Sequence, residues 1–127
     1  SPIGLLSGGQ RQALTLLMAT WRKPDLLLLD EHTSALDPKS AELVLRLSRE
    51  LIATDRITTL MVTHSLPEAT NLGDRLIMMH RGRIVNDIRG GEKSRLRPRE
   101  LAGWFEELRQ IEQLDESAAA LLERTYV

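Results

Sequence analysis

Two acids, one histidine and one glycine-rich tetrapeptide hold residue types whose spacing could do chemistry. Asp30 and Glu31 follow the apolar run Leu26 to Leu29. If that run is a strand, they stand at its carboxyl end, the edge at which open α/β sheets place their ligands. Adjacent residues diverge there. One carboxylate can hold a magnesium ion, directly or through water, while the next orients or deprotonates an attacking water. An isolated Asp-Glu pair is more often a solvated turn. His64 follows the β-branched run Ile57 to Val62 and would lie along the same edge. A lone histidine there is commonly a satisfied polar residue opening a helix, but it could also hold a γ-phosphate and sense its loss. Ser7-Gly8-Gly9-Gln10 has the spacing of a capping box. That box gains nothing from two consecutive glycines, which weaken a first turn by roughly 1 kcal/mol each relative to alanine. Without Cβ atoms, backbone N–H groups at the positive end of the helix are open to a close anion such as a terminal phosphate.

The elements that must position these residues follow from periodicity. Ala13, Leu14, Leu17, Met18 and Trp21 fall at helical spacing and predict a helix over residues 10 to 22, stopped by Pro24. The run Leu26 to Leu29 lacks alternation, which predicts a parallel strand buried on both faces. Asp37-Pro38 places a capping residue before a proline suited to the first helical turn. Ala41, Val44, Leu45, Leu51 and Ile52 then carry an apolar stripe to about Thr54. Ile57 to Val62 is the next strand, and Ser65-Leu66-Pro67-Glu68 is a capping box opening a short helix that ends near Gly73. Leu76 to Met79 and Ile84 to Ile88 flank Arg81-Gly82 and predict a hairpin at the edge of the sheet. Gly90-Gly91 and residues 92 to 97 read as a linker. A helix led by Pro98 should turn Leu101, Trp104, Phe105 and Leu108 to one side, and a separate last helix should span Asp115 to Tyr126. These tail helices read as an amphipathic brace.

Bulk properties exclude several functions. The 127 residues carry 17 basic and 18 acidic side chains, for a formal net charge of -1. Electrostatic capture of nucleic acid or of an anionic membrane is not expected, so phosphate recognition must be local. A hydrophobic share of 42% supports a packed core, and the lack of cysteine excludes disulfides and cysteine-ligated zinc. The longest apolar runs fall far short of a bilayer span. Ser1-Pro2-Ile3 opens the chain with neither an initiating methionine nor a signal-peptide pattern, which reads as a gene fragment beginning mid-protein.

Taken in order, the motifs resemble the ATP-binding cassette (ABC) family. Leu6-Ser7-Gly8-Gly9-Gln10-Arg11-Gln12 is similar to its signature, and Leu26 to Glu31 to its Walker B strand with the catalytic glutamate. Ser34-Ala35-Leu36-Asp37 is similar to the D-loop, and Val62-Thr63-His64 to the switch-histidine strand. The resemblance covers roughly residues 5 to 90 and implies the C-terminal part of an α/β P-loop NTPase domain. Parallel strands would alternate with helices, ahead of a terminal hairpin and C-terminal helices. It divides the chain into a partial ATPase domain, 1–90, and a C-terminal linker and helices, 91–127. It implies ATP and Mg2+ as ligands, Asp30 as the magnesium residue, and Glu31 and His64 as catalytic. Ser7, Gly8, Gly9 and Gln10 would complete the nucleotide site of a second ATPase subunit, with Asp37 communicating across that dimer.

By the same resemblance the chain would serve a bacterial importer at the cytoplasmic face of the inner membrane. It would dock there on transmembrane permease subunits, with a solute-binding protein acting indirectly and no nucleic acid involved. Two departures bear on this. His32 stands where the family more commonly has proline, a form similar to an importer subgroup associated with amino-acid-like solutes. No Gly-x-x-x-x-Gly-Lys-Ser/Thr loop, adenine-stacking aromatic or glutamine loop occurs in the chain. On its own it is therefore expected to bind ATP weakly and not to turn it over. Two alternatives stand beside the importer ATPase. One is a truncated, non-catalytic interaction module; the other is an ABC ATPase of DNA repair or translation. The expected exposed apolar sheet edge also predicts low stability for the isolated segment.

Overall fold

A computed structural model describes residues 7–126. Leu6, where the expected signature begins, and Ser1 to Ile3 lie outside the described residues. The chain divides after His64 into two compact units, the first holding all the chemistry-bearing motifs. The architecture is α/β, with parallel strands followed by helices.

In the first unit, helix α1 (Gly8–Thr20) leads to strand β1 (Leu27–Asp30), helix α2 (Pro38–Asp55) and strand β2 (Thr59–Val62). The two strands pair in parallel, with Leu28 opposite Leu60 and Asp30 opposite Val62. Leu16, Leu27, Leu29 and Ile57 form the core, packed by Leu47, Leu51, Ile52 and Met61. Val44 on α2 is fully buried, and removing a side chain of that size from water contributes about 2 kcal/mol. At its end α2 turns off through Arg56 in the left-handed region, and the Ile57 N–H reaches back to the Ile52 carbonyl at 3.0 Å.

Two expectations fail in this unit. β1 is not buried on both faces: Leu27 and Leu29 are buried, but Leu28 is 64% exposed beside Leu60, itself 55% exposed. The pleat sends alternate side chains to opposite faces, and the core covers only one of them. Helix α1 forms as expected, yet it buries a different stripe. Gly9, Leu16 and Thr20 face inward, whereas Leu14, Leu17, Met18 and Trp21 are exposed. The cause is the close approach of Gly9 to α2. A Cβ on Gly9 would stand 2.8 Å from the Ser40 Cβ, so the helix rotates its smallest face, not its most apolar one, toward its neighbour.

In the second unit, helix α3 (Leu66–Asn71) precedes strands β3 (Arg75–His80) and β4 (Arg83–Arg89), then helices α4 (Gly90–Arg95) and α5 (Pro98–Tyr126). Ser65 caps α3 by accepting the Glu68 N–H at 3.3 Å. The hairpin forms around Arg81 and Gly82, both with positive φ, the combination that two-residue hairpin turns demand. It makes its own two-stranded antiparallel sheet and does not extend the parallel one. Leu76, Met78, Ile88, Leu96 and Leu101 form the core, with Trp104, Phe105 and Leu108 against it.

The expected linker over residues 92 to 97 is mostly helix α4. Lys93 holds it there: the side chain is 3% exposed, and its ammonium donates to the Thr70 and Leu72 carbonyls, each at 2.7 Å. Those carbonyls end α3, where a cation satisfies orphan acceptors and the negative pole of the helix dipole together. The two expected tail helices are one helix of 29 residues. Residues 109 to 114 contain no glycine or proline, so nothing interrupts the turn-to-turn hydrogen bonds. The brace holds for its first half, while Leu114, Leu121 and Leu122 are exposed. No described helix is long and apolar enough to cross a membrane.

Candidate active site

The ends of β1 and β2 bring Glu31 and His64 together. His64 Nε2 lies 2.8 Å from Glu31 Oε1, with the imidazole largely exposed and the carboxylate about one-third exposed. Parallel pairing in register, Asp30 opposite Val62, carries both strand ends to the same sheet edge and makes this meeting possible. Glu31 extends the ladder by one bond, its N–H donating to the Val62 carbonyl at 2.8 Å. The backbone then breaks sharply out of the strand, because Glu31 has φ 48. Left-handed geometry at a side chain of this size costs about 1–2 kcal/mol and concentrates at functional sites. Ser34 stabilises the bend twice, donating its N–H (3.1 Å) and its hydroxyl (3.0 Å) to the Glu31 carbonyl. Asp30 is the last residue of β1 and is exposed.

The second group gathers where α1 begins. Ser7 and Gln10 form the complete capping box: the Gln10 N–H donates to Ser7 Oγ at 3.1 Å, and the Ser7 N–H to Gln10 Oε1 at 3.0 Å. The two glycines acquire a packing reason that spacing did not reveal. Gly9 is buried against Ser40, and a Cβ on Gly8 would come 3.3 Å from the Leu36 side chain. The turn that opens α1 therefore rests on Leu36 and on the first turn of α2. Asp37 caps α2, accepting the Ser40 N–H at 3.2 Å through Oδ2. Hydrogen bonding to Ser40 holds its carboxyl below the ordinary 3.8, because those bonds favour the charged form. Ser40 thus supports both Gly9 and Asp37, a double contact invisible to motif reading because it depends on helix packing.

Comparison with known proteins gives these geometries a family. Residues 2–71, more than half the chain, match the family described as "AAA domain, putative AbiEii toxin, Type IV TA system". The chain is 50% identical over 101 residues to the tyrosine transport ATP-binding protein of Clostridioides difficile (strain R20291), covering 80% of this chain and 40% of that one. The chain belongs to this AAA-domain family and is of the ATP-binding cassette type. Two further relatives fit. The phosphate import ATP-binding protein PstB of Mycobacterium intracellulare is 49% identical over 82 residues, 65% of this chain and 28% of that protein. The arginine transport ATP-binding protein ArtM of Bacillus subtilis (strain 168) is 43% identical over 82 residues, 65% and 34%. The chain therefore spans well under half the length of the curated relatives it matches.

The cassette's expected metal suits the acids present. Among the described residues no group of three His, Cys, Asp or Glu side chains converges as a metal cage. Magnesium does not need one, since it is commonly held by one or two carboxylates with waters and substrate phosphates. Asp30, exposed at the strand tip, has that character.

Proposed function

We propose that this cassette segment is the hydrolytic part of an importer's ATP-binding subunit. It would act as a pair with a second ATPase subunit, at the cytoplasmic face, against transmembrane permease subunits. The observation that carries the reading is the 2.8 Å contact between Glu31 and His64 across two parallel strand tips. A carboxylate held on an imidazole at the ligand-binding edge of an α/β sheet has the reach of a general base with a phosphate sensor beside it.

Each residue then has a task. Glu31 Oε1 accepts a proton from, or orients, the water that attacks the γ-phosphate. His64 Nε2 can exchange its bond to Glu31 for one to a γ-phosphate oxygen, so loss of that phosphate is felt at the base. Asp30 would hold magnesium, which when bound neutralises charge on the phosphate oxygens. At the start of α1 the capping box occupies the N–H groups of Ser7 and Gln10. The Gly8 and Gly9 N–H groups remain at the positive pole of a 13-residue helix, a place suited to a phosphate from the partner's nucleotide. Asp37, fixed as the cap of α2, would report across the dimer from the adjoining loop. The likeness to tyrosine and arginine transport proteins supports an amino-acid-like solute, delivered by a separate binding protein.

The test is ATP turnover by the full-length protein with Glu31→Gln. Turnover should fall at least about a hundredfold, the scale of losing a positioned general base, with nucleotide binding retained. An unchanged rate would remove Glu31 from the chemistry and this reading with it.

A further inference from the structure

One buried histidine takes no part in the site described so far. His32 directly follows Glu31 and is 9% exposed, and its Nε2 lies 3.1 Å from Ser48 Oγ, deep on α2. Ser48 is itself 4% exposed and donates its hydroxyl to the Val44 carbonyl at 2.7 Å. A serine hydroxyl carries one hydrogen. With that hydrogen committed to Val44, Ser48 can only accept from His32, so Nε2 must carry a proton. The chain thus runs imidazole N–H to hydroxyl to helix carbonyl, all within the core of the first unit.

We infer that His32 is a positioning residue for Glu31, locking the turn that bears it to α2; the inference rests on the hydrolytic reading of Glu31. Glu31 leaves the strand in a left-handed conformation that most side chains resist. On one side its N–H is fixed to Val62 on β2. On the other, the next residue is fixed to Ser48 through a buried bond whose loss would leave polar atoms unsatisfied, at a cost that keeps such bonds made. The carboxylate is consequently aimed at His64 from a backbone clamped between β2 and α2. A shift of α2 would reach Glu31 through this imidazole.

The experiment is nitrogen NMR on 15N-histidine-labelled full-length protein at one fixed neutral pH, paired with turnover. His32 should show a protonated Nε2. His32→Ala and Ser48→Ala should each move the His64 ring resonances in the direction that Glu31→Gln moves them. Turnover should fall roughly tenfold with KM changed less than about twofold, the mark of misplacement and not of lost binding. His32→Gln, which keeps a donor near the Nε2 position, and Ser48→Thr, which keeps the hydroxyl, should restore both signals. An unprotonated Nε2, or His64 resonances that stay in place in a folded His32→Ala protein, would overturn the inference. If the alanine variants do not fold, the Gln and Thr variants decide, since a folded protein of either kind with displaced His64 resonances also overturns it. A full-rate Glu31→Gln protein would sink the hydrolytic reading alone and leave the tautomer and His64 results standing.

Discussion

Among the described residues a histidine–glutamate pair stands in each unit, His64 with Glu31 and His80 with Glu112, and the two are built differently. In the first, His64 meets Glu31 at 2.8 Å, with the imidazole 88% exposed and both residues at strand tips. In the second, Glu112 on α5 receives His80 at 2.5 Å and also Arg81 at 2.7 Å, and both His80 and Glu112 are about 70% covered. Both contacts fall on Glu112 Oε1, so that oxygen is taken by an imidazole and a guanidinium of the hairpin turn. Glu112 therefore fastens the hairpin turn to α5. Glu31 has one partner that can leave, at an edge open to a ligand. The same two residue types make a brace in one place and a candidate active site in the other, and the neighbouring cation and the exposure decide which.

The sharpest way to break this comparison is to neutralise both acids in the full-length protein. Glu31→Gln should remove ATP turnover by about a hundredfold or more, while Glu112→Gln should leave it within about twofold; equal losses would erase the distinction. Stability should respond to the packing of the two units. Gly9→Ala drives a Cβ to 2.8 Å from Ser40 and should cost about 1–3 kcal/mol in chemical denaturation, part of it recovered by Ser40→Gly. Lys93→Met keeps the aliphatic stem but leaves the Thr70 and Leu72 carbonyls without their donor. A loss of about 1–3 kcal/mol is expected. Glu112→Gln should cost about 1 kcal/mol, diminished by salt, as befits a pair near the surface.

The smallest expected effect is on acid stability. Asp37, through its bonds to Ser40, and Asp87, through its bond to Arg75, both titrate below the ordinary 3.8. A depressed folded-state value means that the unfolded chain binds protons first as pH falls. Their contribution is thus complete above about pH 4–5 and drains away as pH drops through the folded values. Melting temperatures followed down through that range should fall less steeply in Asp37→Asn and Asp87→Asn than in the parent chain.

Local signals in the sequence proved reliable where one residue type solves one backbone problem. Ser7, Asp37 and Ser65 cap the helices they were expected to cap, and Arg81-Gly82 makes the hairpin turn. That Glu31 and His64 share one sheet edge was legible because two strand ends were; their direct contact was not. Spacing failed where packing chose. The apolar stripe of α1 was misread because Gly9 against Ser40 sets its rotation, and α4 was missed because a Gly-Gly start and charged residues look like a linker. Lys93 carries a charge, so no pattern points to its burial as a cap for α3. His32 and Ser48 lie 16 residues apart, and nothing in either segment announces the other.

The most direct measurement of the central claim is the structure of the full-length Glu31→Gln protein with magnesium and ATP. The account predicts the γ-phosphate within hydrogen-bond reach of His64 Nε2, with the Gly8 and Gly9 N–H groups of a second copy turned to the same nucleotide. A bound nucleotide whose phosphates lie away from both His64 and the two glycines would contradict it.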